Sequence, residues 1–215
     1  MSHHITIIDL GAGELEQLPL GIYRLLKNTS LLYVRTMEHP VLKELSLEGL
    51  SIESFDAVYE KHDQFEDVYE EIAETLLQKA LSEDVIYGVP GHPLIAEMTV
   101  QLLLSKGSER GIDVVIKGGQ SFLDPMFTAI KVDPVEGFQF LDGTSLSVID
   151  LNTRQHIIIS QVYDAFIASE VKLTLMERYP DNHQVCLVTG AGMSSEQVKW
   201  LPLYELDREM ELSNL

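Results

Sequence analysis

Two successive α/β domains are what three features of this 215-residue sequence predict. Short apolar runs at Ile5–Leu10, Leu31–Arg35, Ile112–Lys117 and Val185–Thr189, with another opening at Val85, have the length and composition of buried strands. Strand ends repeatedly carry loops of Gly or Ser, and helical patterns alternate with the strands in each half. The segment Lys106–Gly111 (KGSERG) is a polar break flanked by glycines, with a new strand starting at Ile112. The expected organisation is an N-terminal α/β domain over residues 1–111 and a C-terminal α/β domain over 112–215. Each is expected to hold a mostly parallel or mixed sheet flanked by helices, with the ligand loops converging in an interdomain cleft.

In chain order, Ile5–Leu10 meets Gly11, Ala12 and Gly13 before Pro19 opens a helix with Leu20, Tyr23 and Leu26 on its apolar side. Leu31–Arg35 follows, placing the Arg35 cation at a strand end. His39 and Pro40 open a short helix that ends near Gly49, and Ile52–Tyr59 has no clear period. Phe65–Leu81 is an amphipathic helix whose glutamates form a solvated face. The stretch Val85–Glu97 (VIYGVPGHPLIAE) is the pivot: a strand, a loop of Gly and Pro, and a helix expected over Pro93–Ser105. In the second half, Ile112–Lys117 runs into Gly118, Gly119, Gln120 and Ser121, then a helix over Phe122–Ile130. Asp142 and Gly143 mark a turn. Strands are expected at Leu146–Leu151 and Ile157–Ser160, a helix at Tyr163–Tyr179 stopped by Pro180, a parallel-type strand at Val185–Thr189, and a last strand near Gln197–Leu203.

The formal net charge of −19, from 34 acidic and 15 basic side chains, argues against nucleic acid or an anionic membrane as partner. No apolar run reaches the roughly 18 residues of a membrane span. The N-terminus shows no basic region followed by an apolar core, and the single Cys186 lies in a strand pattern, so a cytoplasmic protein with a structural thiol is expected. The first glycine loop is not a dinucleotide fingerprint, because Asp9 stands where the first glycine belongs and Gln17 and Leu18 fall where the third is due. His39, His62, His156 and His183 are scattered without ligand spacing, and no metal is expected.

With these residues in hand, the chain resembles the tetrapyrrole methylase family, the S-adenosylmethionine-dependent methyltransferases of two α/β domains. DLGAGE at Asp9–Glu14 corresponds to the family's first glycine loop, YVR at Tyr33–Arg35 to its Tyr-Asp-Arg strand end, and Gly91-His92-Pro93 to its Gly-Asp-Pro. GGQS at Gly118–Ser121 and LVTGA at Leu187–Ala191 fill the later positions, so the resemblance covers nearly the whole chain. More narrowly, GVPGHPLIAE and SFLDPMFTAIKVDPVEGFQFLDG resemble the methylase half of bacterial proteins fused to a MazG-type nucleotide pyrophosphohydrolase. The resemblance implies S-adenosylmethionine as cofactor, lined by Ala12, Gly91, His92, Ile95, Ser121, Phe122, Leu151, Ala191 and Tyr204. It also implies a homodimer and a small-molecule, tetrapyrrole-like acceptor. Asp9, Val34 and His92 depart from the family's glycine, aspartate and aspartate.

Methyl transfer from a sulfonium is an in-line displacement, so the protein chiefly aligns the nucleophile and excludes water. A general base helps only where the acceptor loses a proton; His92 is a candidate by position, and its plainer reading is a hydrogen-bonded loop histidine. Arg35 is the expected clamp for a carboxylate-bearing acceptor, and its plainer reading is a structural ion pair. Two functional readings stay open: a methyltransferase, or a cofactor-binding regulatory or scaffolding module without turnover.

Overall fold

The structure is a computed structural model that describes residues 3–208. It divides into two compact units, the first ending at Pro125 and the second beginning at Met126.

The first unit is built on a five-stranded sheet in the order β3-β2-β4-β1-β5. Its strands are β1 (His4–Asp9), β2 (Leu31–Val34), β3 (Ser51–Ser54), β4 (Val85–Val89) and β5 (Asp113–Lys117). Every pairing is parallel. Successive side chains of a strand point to opposite faces, and here both faces are covered. Ile5, Ile7, Tyr33, Val85, Tyr87 and Val89 pack with α4 (Phe65–Lys79) and α5 (Met98–Glu109). Ile8, Leu10, Leu32 and Val34 pack against α1 (Leu20–Lys27) and α2 (Pro40–Leu47). That two-sided burial is why the central strands read as unbroken apolar runs. The stretch without clear period resolves into β3, an edge strand with alternating exposure, and the short α3 (Asp56–Lys61).

Three expectations for this half are corrected. The domain boundary does not fall at residues 111/112: β5 pairs along its length with β1, and the division lies inside α6 (Leu123–Ile130). Lys106–Gly111 is not a linker, since α5 runs on to Glu109. Gly107 sits where that helix crosses β5, and a Cβ there would come within 2.6 Å of Val114 Cγ2. Its glycine serves close packing rather than flexibility. Nor does α5 begin at Pro93. The Ile95 amide bonds the His92 carbonyl, Ala96 adopts a left-handed φ of 55°, and the helix starts only at Met98.

The second unit holds a parallel pair, β6 (Phe138–Asp142) with β7 (His156–Ser160), and an antiparallel pair, β8 (Gln184–Thr189) with β9 (Gln197–Pro202). One face of α7 (Ala165–Met176) supplies Val171 and Leu175 to a core with Leu201, Leu203 and Leu206. The strand expected at Leu146–Leu151 is instead a 3₁₀ turn at Val148–Asp150, with Ser147 and Asp150 in a capping box. β8 is antiparallel to its neighbour, not parallel. The first reflects capping chemistry that an apolar count misses, and the second a strand direction that composition does not record. Among the described residues no helix is long and apolar enough to cross a membrane.

Candidate functional site

Because the first sheet is all parallel, the loops after β1, β2, β4 and β5 leave from one edge, where open α/β sheets bind ligands. The Gly11 carbonyl ties these loops together. It accepts the Gly91 amide at 2.9 Å and the His39 Nε2–H at 3.1 Å, so one oxygen joins the loops after β1, β4 and β2. Gly11 and Gly91 reach these positions with φ of 78° and 67°. The space beside Gly91, where a Cβ would stand, is open.

Asp9 closes the base of the first loop. It is fully buried, one carboxylate oxygen accepts the Gly11 amide, and the other has no hydrogen-bond partner of full geometry. Burial pushes its carboxyl above the usual range, against the pull of the Gly11 amide and His92. The loop after β5 lies directly over this group. A Cβ on Gly119 would collide with the Asp9 carboxylate and stand 2.7 Å from Pro19 Cγ, while one on Gly118 would stand 2.7 Å from His92 Nε2. His92 Nδ1 accepts the Leu94 amide at 3.2 Å, which leaves the proton of the neutral ring on Nε2.

A second polar group lies behind these loops. Arg35 Nη1 donates to Glu97 Oε1 at 2.8 Å, with the Glu97 side chain 5% and the Arg35 side chain 31% exposed. Burial pushes the Glu97 carboxyl up to about 7, with Arg35 pulling the other way. Burial also pushes the neighbouring Tyr59 hydroxyl up to about 12 and that of Tyr87 well above its ordinary value.

Of the residues expected at the cofactor, Ala12, Gly91, His92 and Ile95 are half-buried on loops that meet at or beside the Gly11 carbonyl. Ser121 and Phe122, also half-buried, end the loop after β5. The Ser121 hydroxyl accepts the Leu123 amide and Asp124 accepts the Ser121 amide, which starts α6. Leu151, Ala191 and Tyr204 belong to the second unit. Leu151 packs against its core, Ala191 lies between Gly190 and Gly192 after β8, and Tyr204 is 43% exposed. Arg35 is held in the ion pair that was its plainer reading, yet keeps part of its surface open. Glu97 and His39 were missed. Each lies far in sequence from its partner, 62 and 28 residues away, so no local pattern marks them and only the fold reveals them. Among the described residues no group of His, Cys, Asp or Glu is arranged to hold a metal ion.

A parallel α/β unit with backbone-lined glycine loops on one sheet edge suits a cofactor held by main-chain groups, and no heavy atom crowds the position of a Cβ on Gly91. The profile of the tetrapyrrole (corrin/porphyrin) methylases matches residues 4–207, and the chain belongs to that family. S-adenosylmethionine is the family's cofactor. YabN of Bacillus subtilis (strain 168) is 53% identical over 215 residues, covering all of this chain and 44% of YabN, so the chain spans less than half of that relative. Among solved structures, uroporphyrin-III-C-methyltransferase from Thermus thermophilus aligns with a TM-score of 0.74 at 19% identity, over 100% of this chain and 90% of that one. A cobalamin biosynthetic enzyme, cobalt precorrin-4 methyltransferase, gives 0.71 at 14% identity, over 95% and 87%. The Thermus enzyme complexed with S-adenosyl homocysteine gives 0.71 at 18% identity, over 98% and 93%. These likenesses establish the two-domain fold.

Proposed function

We propose that the chain is an S-adenosylmethionine-dependent methyltransferase domain that methylates a small, carboxylate-bearing, tetrapyrrole-like acceptor. The observation that carries this reading is the joining of glycine loops at the Gly11 carbonyl, on the ligand edge of a parallel sheet in a chain of this family. When bound, the cofactor supplies an electrophilic sulfonium methyl. In this reading Ala12, Gly91, His92, Ile95, Ser121 and Phe122 hold it, mainly through main-chain groups. Arg35, held by Glu97, offers its remaining N–H donors to an acceptor carboxylate. The same reading carries a cytoplasmic homodimer, checked by light scattering: a mass equal to a single chain across micromolar concentrations counts against it. YabN extends well beyond the matched region, which supports a further domain in a longer protein, and the same reading makes that domain a nucleotide pyrophosphohydrolase.

Isothermal calorimetry with S-adenosylmethionine and S-adenosylhomocysteine is the test. Saturable heat is expected, with the fold stabilised by about 2.7 kcal/mol at roughly a hundredfold excess over Kd. Absence of heat at millimolar ligand, with an unchanged melting curve, contradicts the reading. The second reading, a cofactor-binding module without turnover, is favoured by the buried Asp9 carboxylate and by His92 lying over Gly118, where the family carries glycine and aspartate. Binding with no transfer of labelled methyl to any tetrapyrrole offered selects it.

A further inference from the structure

His39 is fixed by its neighbours in sequence and in space. Pro40 disfavours helical backbone at the preceding residue, and His39 is accordingly extended (φ −144°, ψ 133°) at the cap of α2. Its ring is buried between the loops after β1 and β2. A carbonyl oxygen only accepts, so the contact with Gly11 O places the ring proton on Nε2. Nδ1 is then a bare acceptor, buried and without a partner. The Gly11 oxygen has both lone pairs engaged, one by His39 and one by the Gly91 amide.

We propose that His39 is a positioning residue for the cofactor: its neutral imidazole orients the Gly11 peptide, and with it the Ala12 and Gly91 segments that take the cofactor. The inference rests on the functional reading above. A second proton would sit on Nδ1, where no acceptor waits, and burial together with the Arg35 cation holds the ring's pKa below its ordinary value. The other ionisable groups on the segments packed at Gly11 and His39 are Glu97, paired with Arg35; Asp9, on the Gly11 amide; His92, next to Gly91; and Asp56, which accepts the Met37 amide. Acidification should therefore loosen the Gly11 peptide through His39, while titration of the other groups is common to wild type and variant.

The test compares wild type, His39→Gln, which keeps a donor near Nε2 and cannot take a proton, and His39→Leu. S-adenosylhomocysteine affinity and the exchange rate of the Gly91 amide are followed from pH 8 to about pH 5. Wild type is expected to lose affinity on acidification. His39→Gln should bind nearly as well at pH 8 and lose less. His39→Leu should bind about tenfold more weakly at every pH, with Gly91 exchange faster by a similar factor and Tyr87 exchange unchanged. Equal affinities and equal Gly91 exchange in all three proteins overturn the proposal. If wild type itself binds no S-adenosylhomocysteine, the functional reading fails, and Gly91 exchange still decides whether His39 holds the loop. If His39→Leu fails to fold, parallel pH profiles of wild type and His39→Gln overturn the proposal.

Discussion

Glu97→Gln should remove a loss of stability that the wild-type protein suffers between about pH 4.5 and 7. Glu97 is buried at the start of α5, with Arg35 Nη1 at 2.8 Å as its hydrogen-bond partner. Its carboxyl is raised from 4.5 to about 7, first by burial, with the guanidinium opposing. Below the unfolded value both states carry the proton and nothing is lost. As the pH rises through the window, the unfolded chain ionises while the folded chain holds its proton, so stability falls until the folded group ionises as well. A displacement of this size is worth about 3 kcal/mol once the pH passes 7. Glutamine is uncharged throughout and near the same shape. Urea midpoints measured across the window should fall for wild type relative to the variant, and parallel profiles would show that Glu97 does not titrate there.

Arg35→Ala should weaken recognition of an anionic acceptor while sparing the cofactor. The guanidinium follows the end of β2, anchored by Glu97 on one nitrogen, and the Arg35 side chain as a whole is 31% exposed. Removing it leaves Glu97 buried without its cation, so that carboxyl rises further and holds its proton to higher pH, which limits the structural cost. Binding of uroporphyrin III, used as a polycarboxylate probe, should weaken by about 2 to 5 kcal/mol, and Arg35→Lys should not restore it because a lysine cannot supply the planar fork. Fluorescence titration of the probe reads the first effect and calorimetry with S-adenosylhomocysteine the second. Normal probe binding by the alanine variant would reduce Arg35 to a structural ion pair.

The parallel sheet was legible because Ile5, Ile7 and Ile8, or Val85, Ile86 and Tyr87, are apolar on faces that both meet helices. The glycine loops after β1, β4 and β5 were legible for the same local reason, since small residues follow each strand directly. What escaped depends on contacts distant in sequence. The sequence marks Gly107 as a breaker, and only the crossing with Val114 shows it to be a packing glycine inside α5. Pro93-Leu-Ile-Ala-Glu97 reads as a helix start, but the left-handed Ala96 delays it and turns Glu97 inward to Arg35. Phe138–Asp142 and the antiparallel β8–β9 pair were hidden because polar residues interrupt the first and strand direction leaves no mark in composition. His39 looked like one of several scattered histidines until the fold brought it to Gly11.

Amide-resolved NMR of the protein titrated with S-adenosylhomocysteine tests the central claim most directly. Saturable shifts are expected at Ala12, Gly91, His92, Ile95, Ser121 and Phe122, with Gly11 moving alongside Gly91 because they share a hydrogen bond. Shifts confined to residues away from the carboxyl edge of the first sheet, such as Gly111–Val114 before and at the start of β5, or no shift at millimolar ligand, would contradict it.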